Sequence, residues 1–78
     1  MKELIEFISL SIVDDPTQVQ VTEVHGRSGT NLILKVAKED MGRVIGKKGK
    51  VANAMRTLLR VAAARDGKRA NLEVVDPQ

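Results

Sequence analysis

Apolar and polar positions alternate along the chain with two different periods, and each change of period marks a new element. From residue 2 to 13, Leu4, Ile5, Ile8 and Ile12 recur near helical spacing, with Phe7 and Leu10 widening the apolar face. Asp14-Asp15-Pro16 stops that helix, because proline disfavours helical geometry in the residue before it. Segment 18–25 alternates and is rich in Val and Thr, which predicts a strand. Gly26-Arg27-Ser28-Gly29 predicts a turn, and residues 30–37 a second strand. In it Leu32, Leu34 and Val36 share one face, and Asn31, Ile33 and Lys35 the other.

Helical spacing then returns. Residues 39–45 predict a short helix, with Glu39 or Asp40 favourable near the positive end of its dipole. Glycines at 46 and 49 bracket a break, and a longer helix follows from about 49 to 65. Val51, Met55, Leu58 and Ala62 are expected as its main stripe, with Arg56 and Arg60 together on the far side as solvated charges. Asp66-Gly67 ends it, and 69–75 predicts a last strand with Ala70, Leu72 and Val74 on one face. Asp76-Pro77-Gln78 reads as a tail. The order α-β-β-α-α-β, with no linker or repeat, predicts one domain over 1–78. Its fold class is an α+β two-layer sandwich, a three-stranded sheet with the helices on one face. The other sheet face, carrying Asn31, Lys35, Asn71 and Glu73, is expected to be wetter.

Composition narrows the chemistry. At 78 residues the chain has room for one small core. It has no cysteine and one histidine, His25, so disulfides and a zinc site are both excluded. No metal or cofactor is expected. Neither a nucleophile–base pair nor an enclosed pocket is expected, so an enzyme is not. Charges interrupt every apolar run, so no membrane span is expected, and the chain reads as cytoplasmic.

Charge changes the picture further. Residues 1–26 carry one base against five acids, and residues 27–78 carry the other twelve bases against five acids. The halves are therefore −4 and +7, which gives the net +3. A polyanion is the partner such an asymmetry suits. The basic half holds Gly42-Arg43-Val44-Ile45-Gly46-Lys47-Lys48-Gly49-Lys50 between its two helical stretches, and no acid lies between 41 and 65. Gly46 and Gly49 permit a tight turn and a close approach of phosphate to the main chain. The helix that follows offers unpaired N–H groups and the positive end of its dipole. Lys47 and Lys48 place two charges at the tip, with Arg43 and Lys50 nearby. The spacing does not fit a Walker phosphate loop, which needs four residues between the glycines and Ser or Thr after the lysine.

The Ile45-Gly46-Lys47-Lys48-Gly49 run, set behind two strands and before a helix and a strand, resembles the Ile-Gly-x-x-Gly signature of KH domains. The additional helix and strand ahead of the core resemble the type II arrangement, and the size and opening resemble the small bacterial single-KH KhpA family. The resemblance implies single-stranded RNA held in a groove beside the loop. Gly46 and Gly49 would allow backbone approach, Lys47 and Lys48 would meet phosphates, and Ile45 would contact a base. Arg43 and Lys50 would add outer electrostatic support. It also implies an RNA chaperone or post-transcriptional regulator linked to cell division or cell shape. A Jag-type KH protein is the implied heterodimer partner. The absence of Trp and Tyr is compatible with a KH groove and speaks against an aromatic stacking platform.

Two alternatives stand beside this reading: a KH-fold dimerisation adaptor with little RNA binding, and a binder of single-stranded DNA. The long helix supports a protein contact. Ala54 and Val61 extend its apolar stripe on one side, and Ala52, Leu59 and Ala63 on the other, well beyond the roughly 100° that one core face needs. Ala54, Leu58 and Val61 are the candidate dimer face, and a homodimer is expected.

Overall fold

The computed structural model describes residues 1–75; the tail at 76–78 lies outside the described residues. Helix α1 (Lys2–Ile12) turns Ile5 and Ser9 fully inward. It ends where Val13 becomes extended and its N–H closes on the Ser9 carbonyl. Asp15 then accepts a hydrogen bond from the Thr17 N–H and starts a single 3₁₀ turn at Pro16–Gln18. Gln18 closes that turn and Val19 caps it, so β1 (Gln20–Gly26) starts two positions later than its alternation suggests. Strand β2 (Gly29–Lys35) follows after a tight reversal. Val36 and Ala37 leave the ladder but stay buried, which is why the apolar pattern runs past the end of the strand.

A 3₁₀ turn at Lys38–Asp40 leads into α2 (Met41–Ile45), and α3 (Lys50–Arg65) follows the glycine break. Strand β3 (Ala70–Val75) completes the order. β2 is central. It pairs antiparallel with β1, matching Val21 to Leu34, and parallel with β3, matching Leu32 to Leu72. The side chains of Val21, Leu32, Leu34 and Leu72 point to the helical layer and bury against Ile5, Val44, Met55 and Leu59. The other sheet face carries Asn31, Lys35, Asn71 and Glu73, of which Lys35, Asn71 and Glu73 are exposed.

One expectation fails on α3. Its core face is Ala52, Met55, Leu59 and Ala63, whereas Leu58 is 51% exposed and Val51 and Ala62 are only half-buried. Apolar residues cover more than half of this helix, so two stripes about 75° apart satisfy the same spacing and share Met55. Contact with the sheet selects between them, and spacing alone cannot.

Candidate nucleic-acid interface

The loop is positioned from beneath by a carboxylate. Asp40, almost fully buried, accepts hydrogen bonds from the backbone N–H groups of Asp14 and Asp15, each at 3.0 Å. The Asp14 N–H, with help from the Asp15 N–H and Arg43, holds the Asp40 carboxyl below the usual carboxylate range against the opposing effect of burial. Arg43, one turn along, lies 2.9 Å from the Asp14 carboxylate and 3.6 Å from that of Asp40. The start of α2 is thus pinned to the end of α1. Arg43, expected to support phosphate binding from outside, has its charge met by two acids.

Helix α2 ends at Gly46, whose N–H closes on the Gly42 carbonyl at 2.8 Å. Gly46 has φ +76° and ψ 173°, a conformation that essentially only glycine adopts. A Cβ there would stand 2.8 Å from the Val51 nitrogen and overlap the Val51 methyl, so the loop main chain lies directly against the first turn of α3. Lys47–Gly49 forms one 3₁₀ turn in which Lys48 (φ 57°) and Gly49 (φ 75°) are both left-handed. The sequence motif therefore becomes a sharp, backbone-defined tip. Lys47, Lys48 and Lys50 are exposed on it, and none pairs with a carboxylate among the described residues. Val44 is fully buried, while the adjacent Ile45 keeps 38% of its surface exposed beside the loop.

A second part of the surface was not legible as a site. Arg56 donates from Nε to the Leu72 carbonyl at 3.0 Å and from Nη1 to the Asn53 side chain at 2.9 Å. It is half-buried along the flank of α3 and does not stand free in solvent as its helical position suggests. The Thr30 N–H bonds to the Arg69 carbonyl, and in a parallel ladder alternate residues direct both polar groups to one neighbour. Ala70, Leu72 and Val74 therefore direct their N–H and C=O groups to the free edge of β3. An open cleft of about 740 Å³ runs along that edge, lined by the cations Arg56, Arg60 and Arg69 and by one acid, Glu73. Arg56 is a single cation in a basic helix, and no pattern of spacing marks it out.

Ala54, Leu58 and Val61 are all exposed, Leu58 and Val61 by 51% and 53%. At about 100° per residue they lie across the helix from Arg56, so the apolar flank and the cationic flank of α3 are separate surfaces. On α1, Phe7 is 72% exposed. Among the described residues no group of side chains is arranged to hold a metal ion, and no helix is long and apolar enough to cross a membrane.

Two helices joined through Gly-Lys-Lys-Gly, packed on one face of a three-stranded mixed sheet in the order α-β-β-α-α-β, define a KH domain. The chain belongs to the KhpA/KhpB family, whose KH-domain model matches residues 2–74. It is 51% identical over 75 residues to the RNA-binding protein KhpA of Clostridium acetobutylicum, covering 96% of this chain and all of that relative. The RNA-binding proteins KhpA of Clostridium perfringens and Borreliella burgdorferi are 48% and 43% identical. Those matches cover 96% and 95% of this chain, and 100% and 90% of the relatives. No solved structure matches the chain.

Proposed function

We propose that this chain binds single-stranded RNA, gripping about four nucleotides between the Gly46–Gly49 tip and the free edge of β3. The observation that carries this reading is the tip itself. Gly46 lies against Val51 with no room for a side chain, and three exposed lysines surround it without counter-ions among the described residues. Phosphates approach the main chain at Gly46 and Gly49 and are neutralised by Lys47, Lys48 and Lys50. A base rests against Ile45, and base edges meet the outward N–H and C=O groups of β3. Arg43 acts through Asp14 and Asp40 to hold α2 in place. Relatives named as RNA-binding proteins support the binding of RNA.

The role is binding and not catalysis. The chain acts in the cytoplasm as an RNA chaperone or post-transcriptional regulator, with an effect on cell division or cell shape. It works as a homodimer through Ala54, Leu58 and Val61, or as a heterodimer with a Jag-type KH protein. Two grooves in one dimer raise avidity without a new contact. The exposed Leu58 and Val61 also favour a second reading, an adaptor in which the dimer surface matters and RNA binding does not.

The test is binding of a mixed single-stranded RNA by the native chain and a Lys47→Asp/Lys48→Asp variant across a salt series, with matched DNA as competitor. Circular dichroism checks the fold of both. The expected result is salt-dependent binding by the native chain that the folded variant lacks. Equal binding by both would remove the tip as the site, and no binding by either would favour the adaptor. Stronger competition by DNA would reassign the ligand.

A further inference from the structure

We propose that the bound strand continues beyond the groove into a second phosphate-binding cleft at the C-terminal end of α3, formed by Arg60, Lys68 and Arg69. This rests on the RNA-binding reading above and extends its footprint to a surface remote from the glycine tip.

The cleft is built by the way α3 ends. Gly67 is left-handed (φ +68°), its N–H bonds to the Ala64 carbonyl at 3.0 Å, and the Lys68 N–H bonds to the Ala63 carbonyl at 2.9 Å. This pair of bonds is the Schellman closure of a helix, and it folds the chain back along the last turns of α3. Lys68 and Arg69 are thereby held next to Arg60. A cleft of about 330 Å³ lies among these three cations, and the small side chains of Ala64 and Ala70 leave it open. It shares Arg60, Arg69 and Ala70 with the larger cleft along β3, so the two are continuous.

Charge decides what fits. Among the described residues Arg43 has two carboxylate partners within 4 Å, while Arg60, Lys68 and Arg69 have none. Three like charges gathered by a defined backbone turn repel one another unless an anion joins them. Guanidinium groups meet phosphates in a bidentate fork and also stack on bases, which suits a flexible single strand. The distance fits as well. Lys50 and Arg60 are about 15 Å apart along the helix at 1.5 Å per residue, with Arg56 between them. A strand gripped at the tip and led along β3 past Arg56 therefore arrives at Arg60.

The experiment compares unstructured RNA oligonucleotides of about four, eight and twelve nucleotides by fluorescence anisotropy. The proteins are the native chain, Lys68→Gln and Lys68→Arg, each checked by circular dichroism; Lys68 lines the second cleft and not the one along β3. All three are expected to bind the shortest RNA alike. The native chain gains about tenfold with length, and the Gln variant loses most of that gain. Its salt slope falls by about 0.7, the share of one lost phosphate contact. The Arg variant keeps the slope, which separates charge from folding. An equal gain in the Gln variant, or no gain in the native chain, would overturn the second cleft while leaving the groove intact. Displacement of the long RNA by an acidic peptide of matched charge, with the shortest RNA unaffected, would also overturn it and make the cleft a protein-docking surface. Failure of the native chain to bind RNA of any length would remove the groove reading and this one together.

Discussion

The carboxylate of Asp40 accepts the backbone N–H of Asp14 at 3.0 Å, joining residues 26 apart in sequence at the base of the loop-bearing helix. The next N–H, that of Asp15, fills its second oxygen. The lysine-bearing tip therefore stands on a buried anion whose two oxygens are already engaged by backbone N–H groups.

Replacing Asp40 by Asn removes that charge and presents an amide to donors. The denaturation midpoint should fall with an unchanged m-value. The pH dependence has a definite sign. Asp40 is lowered in the folded state, so its contribution is present above the ordinary aspartate pKa of about 3.9 and is lost as pH falls through the folded value. The stability gap between native and Asp40→Asn should be constant near neutrality and close only in acid. A gap that narrows between pH 6 and 8, roughly the histidine range, would contradict the assignment.

The two loop glycines should differ. Gly46→Ala meets both a glycine-only conformation and the Val51 clash, and should cost about 3 kcal/mol. Gly49→Ala meets a left-handed φ but ordinary contact, its nearest neighbour being the Asn53 side chain at 3.8 Å, and should cost about 1 kcal/mol. Urea denaturation of the two variants reads the difference.

Arg56→Ala should cost about 1 kcal/mol by freeing the Leu72 carbonyl, and should weaken binding of the shortest RNA. Arg56→Lys should recover little, because one ammonium does not reproduce the fork that spans Leu72 and Asn53. Full recovery by lysine would show that charge alone matters there.

Neighbouring leucines on α3 should behave oppositely. Leu59→Ala opens the core and should cost about 3 kcal/mol, whereas Leu58→Ala should change the stability of a monomer by no more than about 0.5 kcal/mol. Leu58→Asp/Val61→Asp should instead convert a dimer to a folded monomer in sedimentation velocity. A dimer that survives both charges would move the interface elsewhere.

Much of this was legible in local sequence. The turn at Asp14-Asp15-Pro16, the alternation of Leu32, Leu34 and Val36, and the glycine-bracketed tip depend on residues a few positions apart, where backbone sterics and periodicity operate. The type of each element, the α-β-β-α-α-β order and the basic character of the tip followed from that short range. Other features needed the assembled molecule. Spacing admitted both Leu58 and Leu59 as core residues, and only the position of the sheet buried Leu59. Sequence placed Arg43 beside the phosphate loop and Arg60 on a solvated helix face, but folding brings two carboxylates to Arg43 and, among the described residues, none to Arg60. Arg56 became a bridge to β3 because the chain returns beside it sixteen residues later. The sequence by itself determined where the chain turns, coils and extends, since those preferences are local. Which side chains are buried, paired or left facing a ligand was decided by tertiary structure, because burial and charge compensation depend on partners that only folding brings near.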